Sequence, residues 1–141
     1  MKKLMLIALI TTLAGCASKQ SGDEVHFFQI ADALNSPLAT DVLDPTIKLH
    51  FASKGSAKII QSGLVSNRKT NAVSRTSEEA CQRAFLSAVK QFQSTAAEKN
   101  ATQVVNLISF YKKEPYSSTT QYECRVGTIM AGVALQGDLA R

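Results

Sequence analysis

The chain has 141 residues, a formal net charge of +5 and 45% hydrophobic residues, which suits one small folded domain. Its basic residues are scattered instead of forming a patch or stripe, and Trp is absent. Nucleic-acid binding usually needs a clustered basic surface, often with aromatic side chains on which bases stack. The composition therefore excludes a nucleic-acid partner from the functions we consider.

The first 15 residues have the layout of a secretory signal. Lys2 and Lys3 provide a positive start, and residues 4–13 form an apolar run that is too short for the ~20 residues of a membrane span. Two small residues follow. We predict a signal peptide over residues 1–15; its removal from the 141-residue chain leaves 126 residues, with the net charge lowered from +5 to +3 by the loss of both lysines.

The run Leu13 to Cys16 (Leu-Ala-Gly-Cys) directly follows the apolar stretch and resembles the lipobox of bacterial lipoproteins. This resemblance implies transfer of diacylglycerol to the Cys16 sulfur, cleavage before Cys16, and acylation of the new amino terminus, for example with palmitate. Two or three acyl chains on one residue make dissociation from a bilayer negligible. The alternative is a plain secreted protein with an incidental cysteine.

The residue after Cys16 is Ala17 and not Asp. By analogy with lipoprotein sorting in two-membrane bacteria, this favours a lipid anchor in the outer membrane, with the domain facing the periplasm and cell-surface exposure left open. Residues 16–24 are predicted to be a polar tether, of which the eight residues after the cysteine reach at most ~26 Å. Residues 25–141 are predicted to form a single domain.

Acylation of Cys16 leaves two cysteines in a compartment where disulfides persist. We predict a Cys81–Cys124 disulfide, which would close a loop of 44 residues counting both cysteines. The alternatives are two buried free thiols or a redox-active thiol. The redox alternative is disfavoured because the sequence contains no Cys-x-x-Cys.

Before the middle of the chain, the pattern indicates short elements. Ser36 and Pro37 suit an N-cap and first helical position, and strict alternation indicates a half-buried strand over Thr46–Phe51. The predicted elements are a strand or extended segment at Val25–Ile30, a helix at Leu38–Leu43, a hairpin of Thr46–Phe51 with Lys58–Val65, and a polar connection at Asn67–Ser74.

The strongest local signal predicts a helix over Ser77–Lys99. Thr76 and Glu79 fit a capping box, and Asn100 can end the helix in a left-handed turn. Its apolar face, which should pack on a sheet, recurs at helical spacing at Cys81, Phe85, Ala88, Phe92 and Ala96.

Two strands are predicted after this helix. Gln103–Tyr111 has apolar residues on both faces, as a central strand does. In the predicted strand Thr119–Leu135, the apolar residues stand at even positions up to Val126 and mainly at odd positions from Ile129 onward. One strand can keep both sets on the same face only with an extra residue, which predicts a bulge near Gly127. The expected fold is α+β, with two layers: an antiparallel sheet of about four strands (hairpin–helix–hairpin) packed by one long helix.

A family resemblance rests on six short runs, which are Glu79–Gln82, Phe85–Ala88, Val104–Asn106, Tyr111–Lys113, Tyr122–Cys124 and Ala131–Leu135. Together they resemble a family of small exported bacterial proteins, and the likeness extends over about Leu64–Gly137. Members of this family are often labelled excinuclease ATPase subunits, but this sequence has no Gly-Lys pair and therefore no phosphate-binding loop. The layout of lipobox, cysteine-bearing helix and cysteine-bearing final strand is also similar to the outer-membrane sensor lipoproteins of the Rcs phosphorelay, which signal through partner proteins.

Few residues of this sequence suggest a metal-binding, cofactor-binding or ligand-binding role. His26 and His50 with the two later cysteines form a nominal Cys₂His₂ set, but none has zinc-finger spacing, so we predict no metal and no cofactor. A polar or anion-binding spot at the sheet end is one interpretation of four residues, and a solvated strand end is the other. These four residues are Asn106, Tyr111, Lys112 and Lys113.

No nucleophile–base or carboxylate pair stands out, so we do not expect an enzyme. The sequence instead favours an envelope lipoprotein that acts by protein contact, as a sensor, scaffold or assembly accessory, with an envelope protein as partner. The alternative is a small binding module for an envelope ligand such as a lipid, a glycan or a peptidoglycan fragment.

Overall fold

A computed structural model of the protein describes residues 23–141. The predicted signal peptide, Cys16 and most of the predicted tether lie outside the described residues. The described part confirms the α+β class, but it has a curled mixed sheet of six strands and three α-helices instead of four strands and one helix. In chain order the elements are β1 (Glu24–Gln29), α1 (Ile30–Leu34), α2 (Pro37–Val42), β2 (Lys48–Phe51), β3 (Ile59–Asn71), α3 (Ser77–Glu98), β4 (Gln103–Ser109), a 3₁₀ turn (Tyr111–Lys113), β5 (Gln121–Val126) and β6 (Met130–Ala140).

The final strand β6 is the centre of the sheet. Along one edge it pairs antiparallel with the whole of β3, from Asn71 opposite Met130 to Ile59 opposite Ala140. The other edge is shared by β4 and β5, both antiparallel. Beyond β5 lies β1, and beyond β4 lies β2, which is the one parallel neighbour in the described sheet.

The prediction of a β2–β3 hairpin was wrong. β2 pairs with β4, and β3 pairs with β6. The connection between them folds over the outer face of the sheet, where Ala57 packs with Val105 and Ala140 in a small second core. Alternation reveals which face of a strand is buried, but it contains no information about which strand lies beside it.

The bulge predicted near Gly127 was also wrong. The chain reverses there, and the Gly127 N–H donates to the Met130 carbonyl at 2.8 Å in the turn between β5 and β6. The apolar positions change from even to odd because they belong to two separate strands, β5 and β6. Of the segment Asn67–Ser74 predicted as a polar connection, residues 67–71 form the end of β3 and residues 72–74 lie in the connection to α3. Polar residues suit this part of β3 because it is an edge strand.

The long helix was predicted correctly. Thr76 Oγ1 accepts a hydrogen bond from the Glu79 N–H at 3.1 Å, and Glu79 Oε2 accepts one from the Thr76 N–H at 3.2 Å. Asn100 has a φ of 55°, the left-handed conformation expected past the helix end. The short helix α2 also begins as predicted, with Ser36 Oγ accepting from the Ala39 N–H.

The main core lies between α3 and the inner face of the sheet. The ring of Phe85 stacks on that of Tyr122 with centroids 4.1 Å apart. One buried polar side chain, Gln93, attaches the loop before β2 to the helix: its Oε1 accepts from the Asp44 N–H, and its Nε2 donates to the carbonyls of Asp44 and Ile47. The largest fully buried side chains are Tyr122, Phe85, Leu86, Leu107, Leu135, Leu139, Val89, Val104, Val105, Val133, Cys81 and Cys124.

Candidate functional site

The two later cysteines lie side by side in the core. Cys81, near the start of α3, and Cys124, in β5, place their sulfurs 2.10 Å apart and their Cα atoms 5.9 Å apart, which is disulfide-bonding distance. Both residues are fully buried. A thiolate is needed for nucleophilic or redox chemistry, and a bonded, buried pair offers none.

Neither histidine forms a catalytic pair with these sulfurs. His26 faces Cys124 in the β1–β5 register, but its ring stacks parallel to Phe28 at 5.6 Å and its Nε2 lies 3.3 Å from Glu24 Oε2. His50 lies on β2, at the far end of the strand order from β1. The four members of the nominal Cys₂His₂ set are therefore not gathered at one place.

The four residues of the predicted ligand spot are not brought together either. Asn106 lies beside Asp138, whereas the Tyr111 ring lies against Gly132, six residues earlier on β6. Six residues of extended strand span about 20 Å. Lys112 and Lys113 follow Tyr111 in the 3₁₀ turn, where both are exposed.

Asn106 instead belongs to a bridge across three strands. Its Nδ2 donates to Asp138 Oδ2 at 2.8 Å, and Oδ1 of the same carboxylate accepts from the Gly63 N–H at 2.9 Å. Asn106 (φ 52°) and Gly63 (φ 74°) are both left-handed and lie at register shifts of β4 and β3. The Asp138 carboxylate is therefore hydrogen-bonded to a residue at each of two bulges.

A second polar cluster covers the outer face near β1. Arg125 donates from Nη2 at 2.7 Å and from Nε at 2.8 Å to Oε1 of Glu123, which is only 6% exposed. The Arg125 guanidinium lies 4.9 Å from the ring centroid of Tyr111, whose hydroxyl donates to Asp23 Oδ2 at 3.3 Å. Burial, and then the Asp23 carboxylate, raise the pKa of Tyr111. The cluster is internally paired and attaches the start of the domain to the sheet.

The longest of the three edge strands of the described sheet, β1, β2 and β3, is β3. Within residues 23–141 this 13-residue strand pairs on its β6 side alone, so its other edge presents unpaired backbone donors and acceptors. The helix α3 runs beside that edge, and Ser66 Oγ donates to Gln91 Oε1 at 3.0 Å. We call the space between them the β3–α3 groove.

The β3–α3 groove is open, polar and basic. Its main part has a volume of about 330 Å³, and a second cavity of about 140 Å³ lies beside Leu64 and Phe92, with Gln91 lining both. Arg68 and Lys90 are the charged side chains of the main part. An edge strand beside a helix is the geometry in which β-augmentation places an added extended segment. The main part is lined by Arg68, Ser87, Lys90, Gln91 and Ser94.

A separate polar cleft lies between the start of α2 and the start of α3. It has a volume of about 450 Å³, and Arg75, Glu79 and Arg83 are its charged side chains. Carboxylate and guanidinium groups together suit a polar, hydroxyl-rich ligand more than a lipid chain. Sequence reasoning indicated neither cleft, because each depends on how a helix packs beside another element and not on a local motif.

In the part of the chain that the structure describes, no group of three or more His, Cys, Asp or Glu side chains is arranged to hold a metal ion. None of the helices over residues 23–141 combines the length and the hydropathy that crossing a membrane requires. Comparison with protein-family models, with curated proteins and with solved structures finds no match to this chain.

Proposed function

We propose that this protein is a non-enzymatic lipoprotein of the bacterial outer membrane that acts by protein contact, as a sensor, scaffold or assembly accessory. Its contact site is the β3–α3 groove, where an extended segment of an envelope protein adds to the outer edge of β3. The observation that carries this proposal is the long unpaired edge of β3 lying beside a helix within the described residues.

The anchoring part of the proposal is supported by the N-terminal sequence. A positive start, a short apolar run and Leu-Ala-Gly-Cys occur in the order of a lipoprotein signal. The absence of Asp after Cys16 supports the outer membrane. With the amino terminus acylated, the domain is held facing the periplasm, where disulfides persist.

The binding part is supported by the features of the β3 edge. An exposed edge strand invites uncontrolled pairing unless charges or bulges interrupt it. β3 has both, since Arg68 and Lys69 are exposed and Gly63 forms a bulge. The charges of the groove also determine which partner binds. A segment with acidic residues complements Arg68 and Lys90, whereas a basic segment is repelled by them.

The non-enzymatic interpretation is supported by the pairing of reactive groups. Both core cysteines lie at bonding distance, and the Glu123 carboxylate is held by Arg125. Clear pKa shifts among the described residues occur at Asp44, Tyr111 and Tyr122, which belong to different parts of the fold. A catalytic site usually gathers such groups in one cleft.

Site-directed photo-crosslinking in intact cells tests the contact site. A photoreactive amino acid is placed at Ser87, which is exposed in the groove, and in a matched protein at Lys54, which is exposed in the loop after β2. We expect position 87, but not position 54, to crosslink to one discrete envelope protein. Reversal of the groove charges with Arg68→Glu and Lys90→Glu should abolish that crosslink.

The control for the charge reversal is the pair Lys54→Glu and Lys58→Glu, which makes the same change in net charge outside the groove. The proposal fails if the control removes the crosslink equally, or if neither position yields a discrete product. The binding-module alternative is favoured by the polar cleft near α2. A small molecule that co-purifies with the detergent-solubilised protein and is lost on Arg83→Ala would support that alternative instead.

A further inference from the structure

Three of the seven exposed large apolar side chains of the described residues lie together at one end of the sheet. Val73 is 53% exposed, Ile129 60% and Met130 42%. They are neighbours, because Asn71 pairs with Met130 and the Ala72 N–H donates to the Ile129 carbonyl at 2.7 Å. We call these three residues and the turn from Gly127 the β5–β6 tip.

The N-terminal segment joins the domain at the same place. Glu24, the first residue of β1, pairs with Val126 just before the turn. Asp23 lies so close that a Cβ added to Gly127 would be 2.7 Å from Asp23 Oδ1. The seven residues after Cys16, up to Asp23, span at most about 23 Å, which limits the distance between Cys16 and the tip.

Basic side chains surround the tip. Arg75 is held there by a hydrogen bond from its Nη1 to the Asn71 carbonyl. The aliphatic part of Lys69 lies next to Gly132, with its Cγ 3.7 Å from where a Cβ of that residue would be. Lys112 and Lys113 are exposed beside Tyr111, which contacts Asp23. Acidic groups lie at this end as well: Asp23, held by Tyr111, the exposed Glu24, and Glu114, which follows Lys113. Glu79 lies in the same cleft as Arg75.

From these observations we propose that the β5–β6 tip rests on the phospholipid bilayer that carries the anchor, with Val73, Ile129 and Met130 inserted among the headgroups. This inference depends on the lipid anchor of the proposed function. Long basic side chains extend along apolar surface and place their charges at anionic headgroups, so Lys69, Arg75, Lys112 and Lys113 can reach such headgroups when the apolar side chains are inserted. An acyl anchor a few residues away raises the local concentration of bilayer at the tip.

Docking at the tip orients the domain. β6 runs from Met130 at the tip to Ala140 at the opposite end, about 33 Å of extended strand. The start of β3 is paired with that far end. The β3–α3 groove would therefore extend away from the bilayer into the periplasm, where an extended segment of a partner can reach it.

A single tryptophan tests the docking, since the chain contains none. Ile129→Trp is made in the full, acylated protein and incorporated into vesicles of phosphatidylethanolamine and phosphatidylglycerol with brominated chains. The matched control is Ile60→Trp, because Ile60 is also an exposed isoleucine (38%) but lies near the far end of β3. We expect blue-shifted emission and about threefold or greater bromolipid quenching at position 129 relative to position 60.

Met130→Trp is a second probe in case the first variant does not fold, with equal urea midpoints as the folding check. Equal quenching at positions 129 and 60 in a protein whose Cys16 carries the acyl mass would overturn the docking and leave the anchor intact. An unacylated Cys16 would overturn both. A blue shift without bromolipid quenching would mean that a second copy or another protein covers the tip, and would overturn the docking as well.

Discussion

The Asp138 carboxylate accepts a 2.8 Å hydrogen bond from the Asn106 side chain, across the boundary between β6 and β4. On the opposite side of β6 it accepts from the Gly63 N–H of β3 at 2.9 Å. Both partners have left-handed backbones, which cost free energy for Asn106 in particular. One carboxylate thus stabilises two bulges on the two neighbours of the central strand.

Removal of this carboxylate should loosen both bulges. We expect Asp138→Ala to lower the free energy of unfolding by about 2–3 kcal/mol, because two hydrogen bonds to a charged acceptor are lost. Urea denaturation measures the loss, and amide exchange should show the Gly63 N–H opening faster. Asp41→Ala, at an exposed aspartate of α2, is the matched control and should change stability by less than about 0.5 kcal/mol. An equal effect of the two substitutions would contradict this role.

The core cysteines should contribute much of the stability. Cys81 and Cys124 are separated by 43 positions, and the chain-entropy relation for such a loop gives about 4 kcal/mol. The double variant Cys81→Ala/Cys124→Ala should lose about that amount in urea denaturation. Reductant should shift the midpoint of the wild type and leave that of the variant unchanged. A wild type that is insensitive to reductant after unfolding in its presence would refute the bond.

The Tyr122 hydroxyl is buried and has no hydrogen-bond partner among the described residues. Burial, with smaller contributions from Glu78 and Asp32, raises the pKa of Tyr122 well above its usual value of 10.0. Tyr122→Phe removes an unsatisfied group and keeps the ring stacked on Phe85. We expect stability at pH 7 to be unchanged or to increase by up to about 1 kcal/mol.

The same substitution should alter the response to alkaline pH. The unfolded chain releases the tyrosine proton near pH 10 while the folded state retains it, so wild-type stability falls as pH rises above about 10. Tyr122→Phe should lose part of this dependence, which short denaturation experiments at pH 9 to 11 would measure. Identical pH profiles of the two proteins would show that Tyr122 ionises as readily in the folded protein as in the unfolded chain, contrary to this prediction.

Two glycines of β6 provide a matched test of packing. A Cβ on Gly137 would lie 2.8 Å from Leu107 Cδ2 and 3.4 Å from Phe92, in the main core, whereas on Gly132 the nearest atoms would be 3.7 Å away. Gly137→Ala should therefore cost about 1–3 kcal/mol of stability through overpacking. Gly132→Ala should cost clearly less in the same urea measurement. The reverse order would mean that Leu107 moves aside freely.

The anchor has its own genetic test. Cys16→Ser removes the sulfur that we propose to be acylated, and we expect the protein to leave the outer-membrane fraction. Each buried CH₂ of an acyl chain contributes about 0.8 kcal/mol to membrane binding. Cell fractionation with mass spectrometry of the amino terminus measures the change. Ser18→Ala, two residues further on, is the control and should leave the protein in the membrane fraction; an unchanged distribution of Cys16→Ser would disprove the lipid anchor.

The local sequence determined the elements whose signals lie within a few residues. Thr76 and Glu79 form the capping box, Ser36 caps α2, and the apolar stripe of α3 is buried as expected. Caps depend on residues three positions apart, and helical stripes on residues three or four apart, so both can be identified without knowledge of the fold. The α+β class follows from these helix signals together with the alternation of apolar residues in the predicted strands.

Tertiary structure alone decided which strands are neighbours. β2 lies beside β4 and not beside β3, although β3 has an unpaired edge, and the loop between β2 and β3 packs on Val105 and Ala140. The groove, the tip and the Asp138 bridge each join residues that are tens of positions apart. Their formation depends on packing the whole sheet against α3, and that packing free energy is a property of the complete set of contacts and not of any local stretch.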